Sequence, residues 1–192
     1  MTQPEPPESA NPRASAPAST ERPVPRESAR AHDREFASFY REYMPRLVTY
    51  LTYQGAPAHL AAELAQETMI AIYRRWEEIE YPKAYAYKIA NKAYIRHATQ
   101  VTDLPVDEVP EPTGVLPNPE AAEAWLQQQQ IIQVLRTLPP RQRQVLALTL
   151  DDWSPTEIAD LLTIDPSAVR SNLLKARRNA AYHLRHLGEE DP

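Results

Sequence analysis

The sequence predicts an all-α protein made of two small helical domains that an extended linker joins. Three observations support this fold class. The 192 residues include 20 prolines but only 3 glycines, so few positions suit the tight hairpins that antiparallel strands need. Apolar residues recur at steps of three and four in several segments, which is the period of a helix with one buried face. A proline-rich, acidic stretch without this period separates the helical segments into two groups.

Charge and composition divide the chain into five segments. The net charge of −5 looks unfavourable for nucleic-acid binding until it is followed along the chain, because charges act locally. Residues 1–34 have no net charge and many prolines, alanines and serines, and we expect a disordered tail there. Residues 35–100 and 124–188 are slightly basic and helical, residues 101–123 form an acidic linker without a basic residue, and residues 189–192 form an acidic tail.

The domain at 35–100 should contain three helices. Pro45 should kink or split the first, the second should begin near Pro57, and the third should run from about Pro82 to His97. The first two helices each have one apolar stripe, formed by Phe36, Phe39, Tyr40, Tyr43, Met44, Leu47, Val48 and Leu51 and by Leu60, Leu64, Thr68, Ile72 and Trp76.

Two helix starts in the second domain are unusually well specified, after helices near 124–137 and 140–150. Ser154 is a good N-cap, and Glu157 can return a bond to the Ser154 amide as a capping box. Asp165 repeats the N-cap eleven residues later, and a proline follows each cap. This spacing predicts a helix-turn-helix. Two hydrophobic staples support it, Trp153 with Ile158 and Ile164 with Val169.

The second of these helices has the surface of a DNA recognition helix. Its outward positions carry short hydrogen-bonding groups near the N-terminus and cations further along, which are the groups that base edges and phosphates require. The alternative is a helical bundle with a solvated basic face. The outward residues are Ser167, Arg170, Ser171, Asn172, Lys175 and Arg178.

Several classes of protein are disfavoured. The chain has no cysteine, no run of about 18 apolar residues and no signal architecture, so we expect a cytoplasmic protein without disulfides or a membrane span. The five histidines form no metal-ligand spacing beyond the pair His183 and His186, and neither a nucleophile–base set nor a phosphate-binding glycine loop is evident. We therefore expect no enzyme, no metal and no cofactor.

The stretch LRTLPPRQRQVLALTLDDWSPTEIADLLTIDPSAVRSNLLKARRNAAYHL resembles region 4 of bacterial sigma factors, especially the extracytoplasmic-function group. The resemblance implies that this domain binds the −35 promoter element. It also implies that Ser167, Ala168, Arg170, Ser171 and Lys175 lie nearest the bases, with Arg177 and Arg178 beside them. The matching residues are Leu138, Pro139, Arg143, Val145, Glu157, Ile158, Ala159, Val169, Arg170, Ser171, Ala176 and Arg177. Thr163 stands where the family often has a glycine.

Residues 36–98 resemble region 2 of the same family, most clearly in ELAQETMIAIYRRW. Glu63, Gln66 and Glu67 fall on one helical face, which we call the polar face. The resemblance implies that the polar face binds the β′ clamp helices of RNA polymerase. An exposed glutamine between two carboxylates also suits a basic helical partner. The alternative is a solvated helix face.

The third helix of this domain corresponds to the promoter-melting element of the family. Lys88, Lys92 and Arg96 are spaced by four, and we call them the basic stripe. Tyr81, Tyr85 and Tyr87 supply rings nearby, either to stack on unpaired bases or to fill the core. The usual Ile-Ala-Arg-Asn of the family is replaced here by Ile89, Ala90, Asn91 and Lys92, and a common aspartate by Arg96. We place Asn91 with the −10 contacts.

The leading hypothesis is a sigma factor that binds core RNA polymerase, through the β′ clamp helices and the β subunit, and directs it to promoter DNA. The resemblance implies that the acidic linker threads through basic channels of the polymerase, and a solvated spacer is the alternative. An anti-sigma protein is a common partner in the family. The rival hypothesis is a gene-specific helix-turn-helix regulator that binds an operator without polymerase.

Overall fold

The computed structural model describes the backbone of residues 25–100 and 119–187 and the side chains of residues 30–100 and 126–185. Within these ranges the chain forms seven α-helices, one short 3-10 turn and no strand, which confirms the all-α prediction. None of these helices is long and apolar enough to cross a membrane. The helices are α1 (Pro25–Gln54), α2 (Ala58–Tyr73), α3 (Pro82–Gln100), α4 (Pro119–Thr137), α5 (Pro140–Leu150), α6 (Pro155–Leu162) and α7 (Pro166–Leu187), and the 3-10 turn is Trp76–Glu78.

Two helices begin earlier than the sequence indicated. Helix α1 starts at Pro25, inside the segment expected to be a tail, and continues through Pro45 without a break. Helix α4 starts at Pro119, inside the segment expected to be the linker. The expected tails and linker otherwise fall on residues 1–24, 101–118 and 188–192, which lie outside the described residues.

The first domain, α1 to α3, closes around the apolar stripe of α1. Leu47 and Leu51 are fully buried there, and α2 contributes Met69 and Ile72 from its inner face. Burial of each such side chain contributes about 1.5–3 kcal/mol, so this core can hold three helices together. Trp76, expected on the α2 stripe, lies instead in the 3-10 turn and packs its ring 5.4 Å from Phe36 and 5.1 Å from Phe39. The other core residues include Leu60, Leu64, Ala65, Ala86 and Ala90.

The helix-turn-helix forms as its end signals predict. The Ser154 amide donates to Glu157 Oε2 at 2.8 Å, and the Glu157 amide donates to Ser154 Oγ at 3.3 Å, which completes the capping box. The hydrogen bonds with Ser154 hold the pKa of Glu157 below its ordinary value. Thr163 ends α6 in the left-handed region, with φ 53° and ψ 52°, where glycine is the usual residue.

The core of the second domain, α4 to α7, has two parts. Val145, Leu148, Ile158 and Val169 are fully buried where α5, α6 and α7 meet. Leu135 and Leu138 at the end of α4 form a smaller cluster with Ala176 of α7. These contacts fix α7 against α5 on one side and leave its opposite side exposed.

The two domains pack directly on each other. One hydrophobic core joins α1 and α3 to α5 and α6, and it includes Tyr87 of α3 and Trp153, whose rings are 5.0 Å apart. Gly55 lies at this junction with φ +109°, and a Cβ there would meet Arg143 Nη1 and the Tyr94 hydroxyl at 3.2 Å. The positive φ favours glycine at the turn between α1 and α2, and these tight contacts favour it further.

Candidate functional site

Helix α7 begins with a side-chain N-cap, and the apolar residues on one of its faces are buried. Asp165 Oδ1 accepts a hydrogen bond of 2.7 Å from the Ser167 amide. This hydrogen bond holds the pKa of Asp165 below its ordinary value. Val169 and Ala176 are fully buried and Leu173 nearly so, which anchors α7 in the domain. The positions between them are then available for a partner.

The structure places the predicted DNA-binding residues of α7 on one surface. Ala168 is half-buried, and the other six are exposed. Among the described residues, no ion pair engages the cations of this set. The face can therefore offer hydroxyl groups near the helix N-terminus and unneutralised cations further along. The exposed residues are Ser167, Arg170, Ser171, Lys175, Arg177 and Arg178.

Two residues of α7 differ from what the sequence predicts. Asn172, expected on the outward face, is half-buried, and its Nδ2 donates to the Ala168 carbonyl at 2.8 Å. Leu174 was missed, although it is 72% exposed and lies one turn after Arg170 and one turn before Arg178 on the outward face. A helical projection of the sequence could have found it, because its position differs from that of the buried Leu173.

The polar face of α2 forms as the spacing predicts. Glu63, Gln66 and Glu67 are all exposed, while Leu64 and Thr68 turn into the core. The Thr68 hydroxyl donates to the Leu64 carbonyl at 2.8 Å, so the buried polar group is satisfied within the helix. The polar face thus has two carboxylates and an amide directed to solvent on a rigid helix.

An apolar groove continues from the polar face toward the end of α2. We call it the aromatic groove, and its volume is about 390 Å³. Ile70 is 53% exposed in it, an unusual position for a large aliphatic side chain. The period of α2 does not reveal this groove, because its other wall comes from α1. The groove is lined by Phe36, Tyr40, Gln66, Met69, Ile70, Tyr73 and Arg74.

The basic stripe of α3 is exposed along its whole length, at Lys88, Lys92 and Arg96. Tyr81 at the start of the helix is 69% exposed and can stack on a partner. Tyr85 is half-buried, and its hydroxyl accepts a hydrogen bond of 3.3 Å from Arg75 Nη1. The structure thus keeps cations and rings on one accessible side of α3.

Tyr87 and Asn91 lie away from the basic stripe. Tyr87 is fully buried, so of its two alternatives the core is the one observed. Asn91, expected among the −10 contacts, is half-buried against α5. Its Oδ1 accepts hydrogen bonds from Gln144 Nε2 at 2.8 Å and from the Tyr50 hydroxyl at 3.4 Å. In this arrangement of the domains the Asn91 Oδ1 is engaged within the protein.

A second polar contact joins the domains near Asp151. Its Oδ2 accepts hydrogen bonds from the Tyr87 hydroxyl and, at 3.1 Å, from Trp153 Nε1. Arg46 Nη1 lies 3.7 Å from its Oδ1. Burial and the hydrogen bond to Asp151 raise the pKa of Tyr87, which therefore stays protonated as the donor. Lys83 Nζ covers the Trp153 ring at 4.1 Å from its centroid.

The described residues contain no group of three or more histidine, cysteine, aspartate or glutamate side chains that could hold a metal ion. The surfaces that the structure offers are instead extended and charged. They consist of a cationic helix face, a basic stripe and a polar helix face. Surfaces of this kind suit macromolecular partners.

Comparison with solved structures supports the fold. One similar structure is CnrH in complex with the cytosolic domain of CnrY, with 18% identity, a TM-score of 0.61, and coverage of 83% of this chain and 95% of that chain. Another is the sigma factor RpoE in complex with the anti-sigma factor NepR from Bartonella quintana, with 18% identity, a TM-score of 0.62, and coverage of 79% and 98%. At this identity the likeness shows the fold alone.

Comparison with family models identifies both domains. Sigma-70 region 2 matches residues 39–102, and Sigma-70, region 4 matches residues 128–179. No curated protein sequence matches the chain significantly. The region 2 match at residues 39–102 supports the leading hypothesis of a sigma factor over the rival hypothesis of a gene-specific regulator. With two models of one family matched in order over more than half of its residues, the chain belongs to the sigma-70 family of sigma factors and contains its regions 2 and 4.

Proposed function

We propose that this sigma factor recognises promoters at two points, with α7 on the −35 element and α3 on the −10 element. The observation that carries the proposal is the exposed face of α7. Arg170 and Ser171 lie near its N-terminus, where base edges are read, and Lys175, Arg177 and Arg178 follow, where phosphates run. This order of groups is what a helix in the major groove requires.

Leu174 adds an apolar group to the same face. An aliphatic side chain that is 72% exposed gains free energy when an apolar group of a partner removes it from water. The thymine methyl group is the apolar feature of the major groove. We therefore assign Leu174 to contact with a thymine of the −35 element.

The −10 contacts are assigned to the basic stripe together with Tyr81 and Tyr85. Cations at Lys88, Lys92 and Arg96 can follow the phosphates of one strand, and the exposed Tyr81 ring can stack on an unpaired base. Stacking of this kind contributes about 1–3 kcal/mol per base. Asn91 can join these contacts only when α5 moves away from it, because Gln144 occupies its oxygen in the packed arrangement.

We assign the binding of core polymerase to the polar face. Glu63 and Glu67 suit the basic groups of the β′ clamp helices, and Gln66 can donate and accept hydrogen bonds between them. The second domain would contact the β subunit. With both domains held by polymerase, each promoter contact raises the effective concentration of the other, so two weak contacts suffice. Because its partners are polymerase and the chromosome, we place the protein in the cytoplasm.

The test is transcription in vitro with purified core polymerase and the full-length chain on a genomic template library. We expect transcripts from specific promoters above those that core polymerase makes alone, and a stable complex with core. If neither is observed, the proposal is overturned. A gel-shift assay of the chain alone should show only weak DNA binding, and tight binding to a palindromic operator would support a regulator instead.

An anti-sigma protein is a second proposed partner. Both similar structures contain a second protein, named an anti-sigma factor in the RpoE complex. In this chain a cleft of about 800 Å³ lies between α3 and α6 and could receive one. Its lining includes Tyr81, Lys83, Trp153 and Leu161. A protein that copurifies with the chain from native cells should block the reconstituted transcription, and lack of inhibition would contradict this assignment.

A further inference from the structure

The early start of α1 brings its first turns against the end of α2. Three residues of these turns, His32, Asp33 and Phe36, contact the same side chain, Tyr73. Asp33 Oδ1 accepts a hydrogen bond of 2.8 Å from the Tyr73 hydroxyl. The rings of His32 and Phe36 lie 5.1 Å and 4.9 Å from the Tyr73 ring. The Tyr73 side chain is therefore held at its hydroxyl and at two positions along its ring.

The position of Tyr73 shapes the aromatic groove. Tyr73 lines one side of it, Tyr40 contributes from α1, and Ile70 and Met69 come from α2. The Tyr73 ring is 43% exposed, so without its contacts it would be free to turn toward the neighbouring groove. The bond to Asp33 also raises the pKa of Tyr73, as expected for a phenol that donates to a carboxylate. The open groove thus depends on a contact made by the first turns of α1.

The aromatic groove is continuous with the polar face. Gln66 belongs to both, and Ile70 lies one turn beyond Gln66 on α2. A helix whose basic groups lie along Glu63 and Glu67 therefore passes beside the groove. The carboxylates of the polar face favour cations on the partner, and the exposed Ile70 favours an apolar side chain. Because the two surfaces are continuous, the partner should carry its cations first and the apolar side chain next to them.

We propose that the aromatic groove receives an apolar side chain of the polymerase clamp helix that the polar face binds, and that Asp33 is a positioning residue that keeps the groove open by holding Tyr73. This inference rests on the proposed function of the polar face. It extends that function in two ways, because it adds an apolar contact to the interface and gives the first turns of α1 a role in polymerase binding.

The experiment measures the affinity of full-length variants for core polymerase. Asp33→Ala should weaken binding about three- to tenfold, the effect of losing one solvent-exposed hydrogen bond that shapes a binding site. Asp33→Asn retains an acceptor oxygen and should restore most of the affinity. Ile70→Ala should also weaken binding, whereas Glu35→Ala, an exposed carboxylate on the same helix, should have no effect.

A double-mutant cycle separates positioning from general destabilisation. With Tyr73→Phe there is no hydroxyl to hold, so Asp33→Ala should have little further effect on core affinity. Additive losses would overturn the positioning role, and unchanged affinity for both Ile70→Ala and Asp33→Ala would overturn the groove assignment. Glu67→Lys reports on the polar face itself. If it weakens binding while the groove variants do not, only this inference fails, and if it too has no effect, the proposed function of the polar face fails.

Discussion

Tyr87 in α3 donates a hydrogen bond to Asp151 at the end of α5, across 64 positions of sequence. The tyrosine is fully buried, and Trp153 donates to the same carboxylate oxygen. A buried contact between a neutral donor and a charged acceptor is among the stronger hydrogen bonds in proteins. This contact therefore ties the two sigma regions into one packed unit.

Removing the Tyr87 hydroxyl should loosen that unit. Tyr87→Phe keeps the ring in the core but leaves Asp151 with one donor fewer, so we expect the free energy of unfolding to fall by about 1.5–3 kcal/mol. Urea unfolding measures the loss. Tyr85→Phe, two residues earlier, removes a hydroxyl that accepts a hydrogen bond from the exposed Arg75. It should therefore lower the free energy of unfolding much less. Equal losses for the two variants would contradict the importance of the buried contact.

Arg170 and Leu174 should determine −35 preference. Arg170→Ala is expected to relax base selection at one position by about 1–3 kcal/mol of discrimination, and Leu174→Ala to weaken selection of a thymine. Arg178→Ala should lower transcription from all promoters evenly, because phosphates carry no base information. Transcription from a promoter library randomised over the −35 element distinguishes these outcomes. Arg185→Ala, further along α7, is the matched control, and preferences that stay unchanged in the Arg170 and Leu174 variants would refute the assignment.

Charge reversal on the polar face should weaken core binding. Glu67→Lys places a cation opposite the basic groups expected on the clamp helix, and close like charges lower affinity by more than tenfold when the interface excludes water. Association with core polymerase can be measured by fluorescence anisotropy. Since Glu67 is exposed, thermal unfolding should be unaffected. Glu35→Lys makes the same charge change on α1 and should bind core normally.

The capping box of α6 should make the second domain sensitive to acid. The folded-state pKa of Glu157 is depressed by its bonds to Ser154, so its contribution to stability is present above the unfolded pKa of about 4.3 and is lost as the pH falls through the folded value. Glu157→Gln should reduce this dependence. Thermal unfolding between about pH 3 and 7 measures it, with Asp160→Asn on the same helix as the control. Parallel profiles for Glu157→Gln and the unaltered chain would rule out the effect.

Thr163 should be a site where glycine stabilises the protein. A β-branched residue with φ 53° crowds its own backbone, at a cost of about 1–2 kcal/mol that glycine avoids. After the greater chain entropy of unfolded glycine is subtracted, we expect Thr163→Gly to raise the stability by up to about 1 kcal/mol. Thermal unfolding measures the change. Thr149→Gly, inside α5, should destabilise the protein, and a loss at both positions would contradict the strain at Thr163.

The parts of the fold that the sequence predicts best are those that neighbouring residues determine. Ser154 and Glu157 are three residues apart, and Asp165 and Ser167 two apart, so their hydrogen bonds can be inferred from local geometry. The polar face and the basic stripe follow in the same way from the helical period. For these features, the side chains that matter lie within one turn of each other.

The features that the sequence does not reveal depend on distant partners. Asn91 faces α5 because Gln144, 53 positions away, donates to it. The start of α1 at Pro25 has few apolar residues of its own, and its contacts to Tyr73 are about 40 positions away. The aromatic groove has walls from two helices. The helical period of the sequence cannot predict such contacts, because they form only when different helices pack together.

The hydrogen bond between Gln144 and Asn91 sets a condition on the −10 contact that we propose for Asn91. An amide oxygen that is engaged across the domains is not available to a base, so only molecules in which the domains have separated can use it. The contribution of this oxygen to promoter affinity is then limited to the fraction of molecules in which the domains have separated. A stronger domain contact lowers that fraction, and a partner that prefers the separated form raises it.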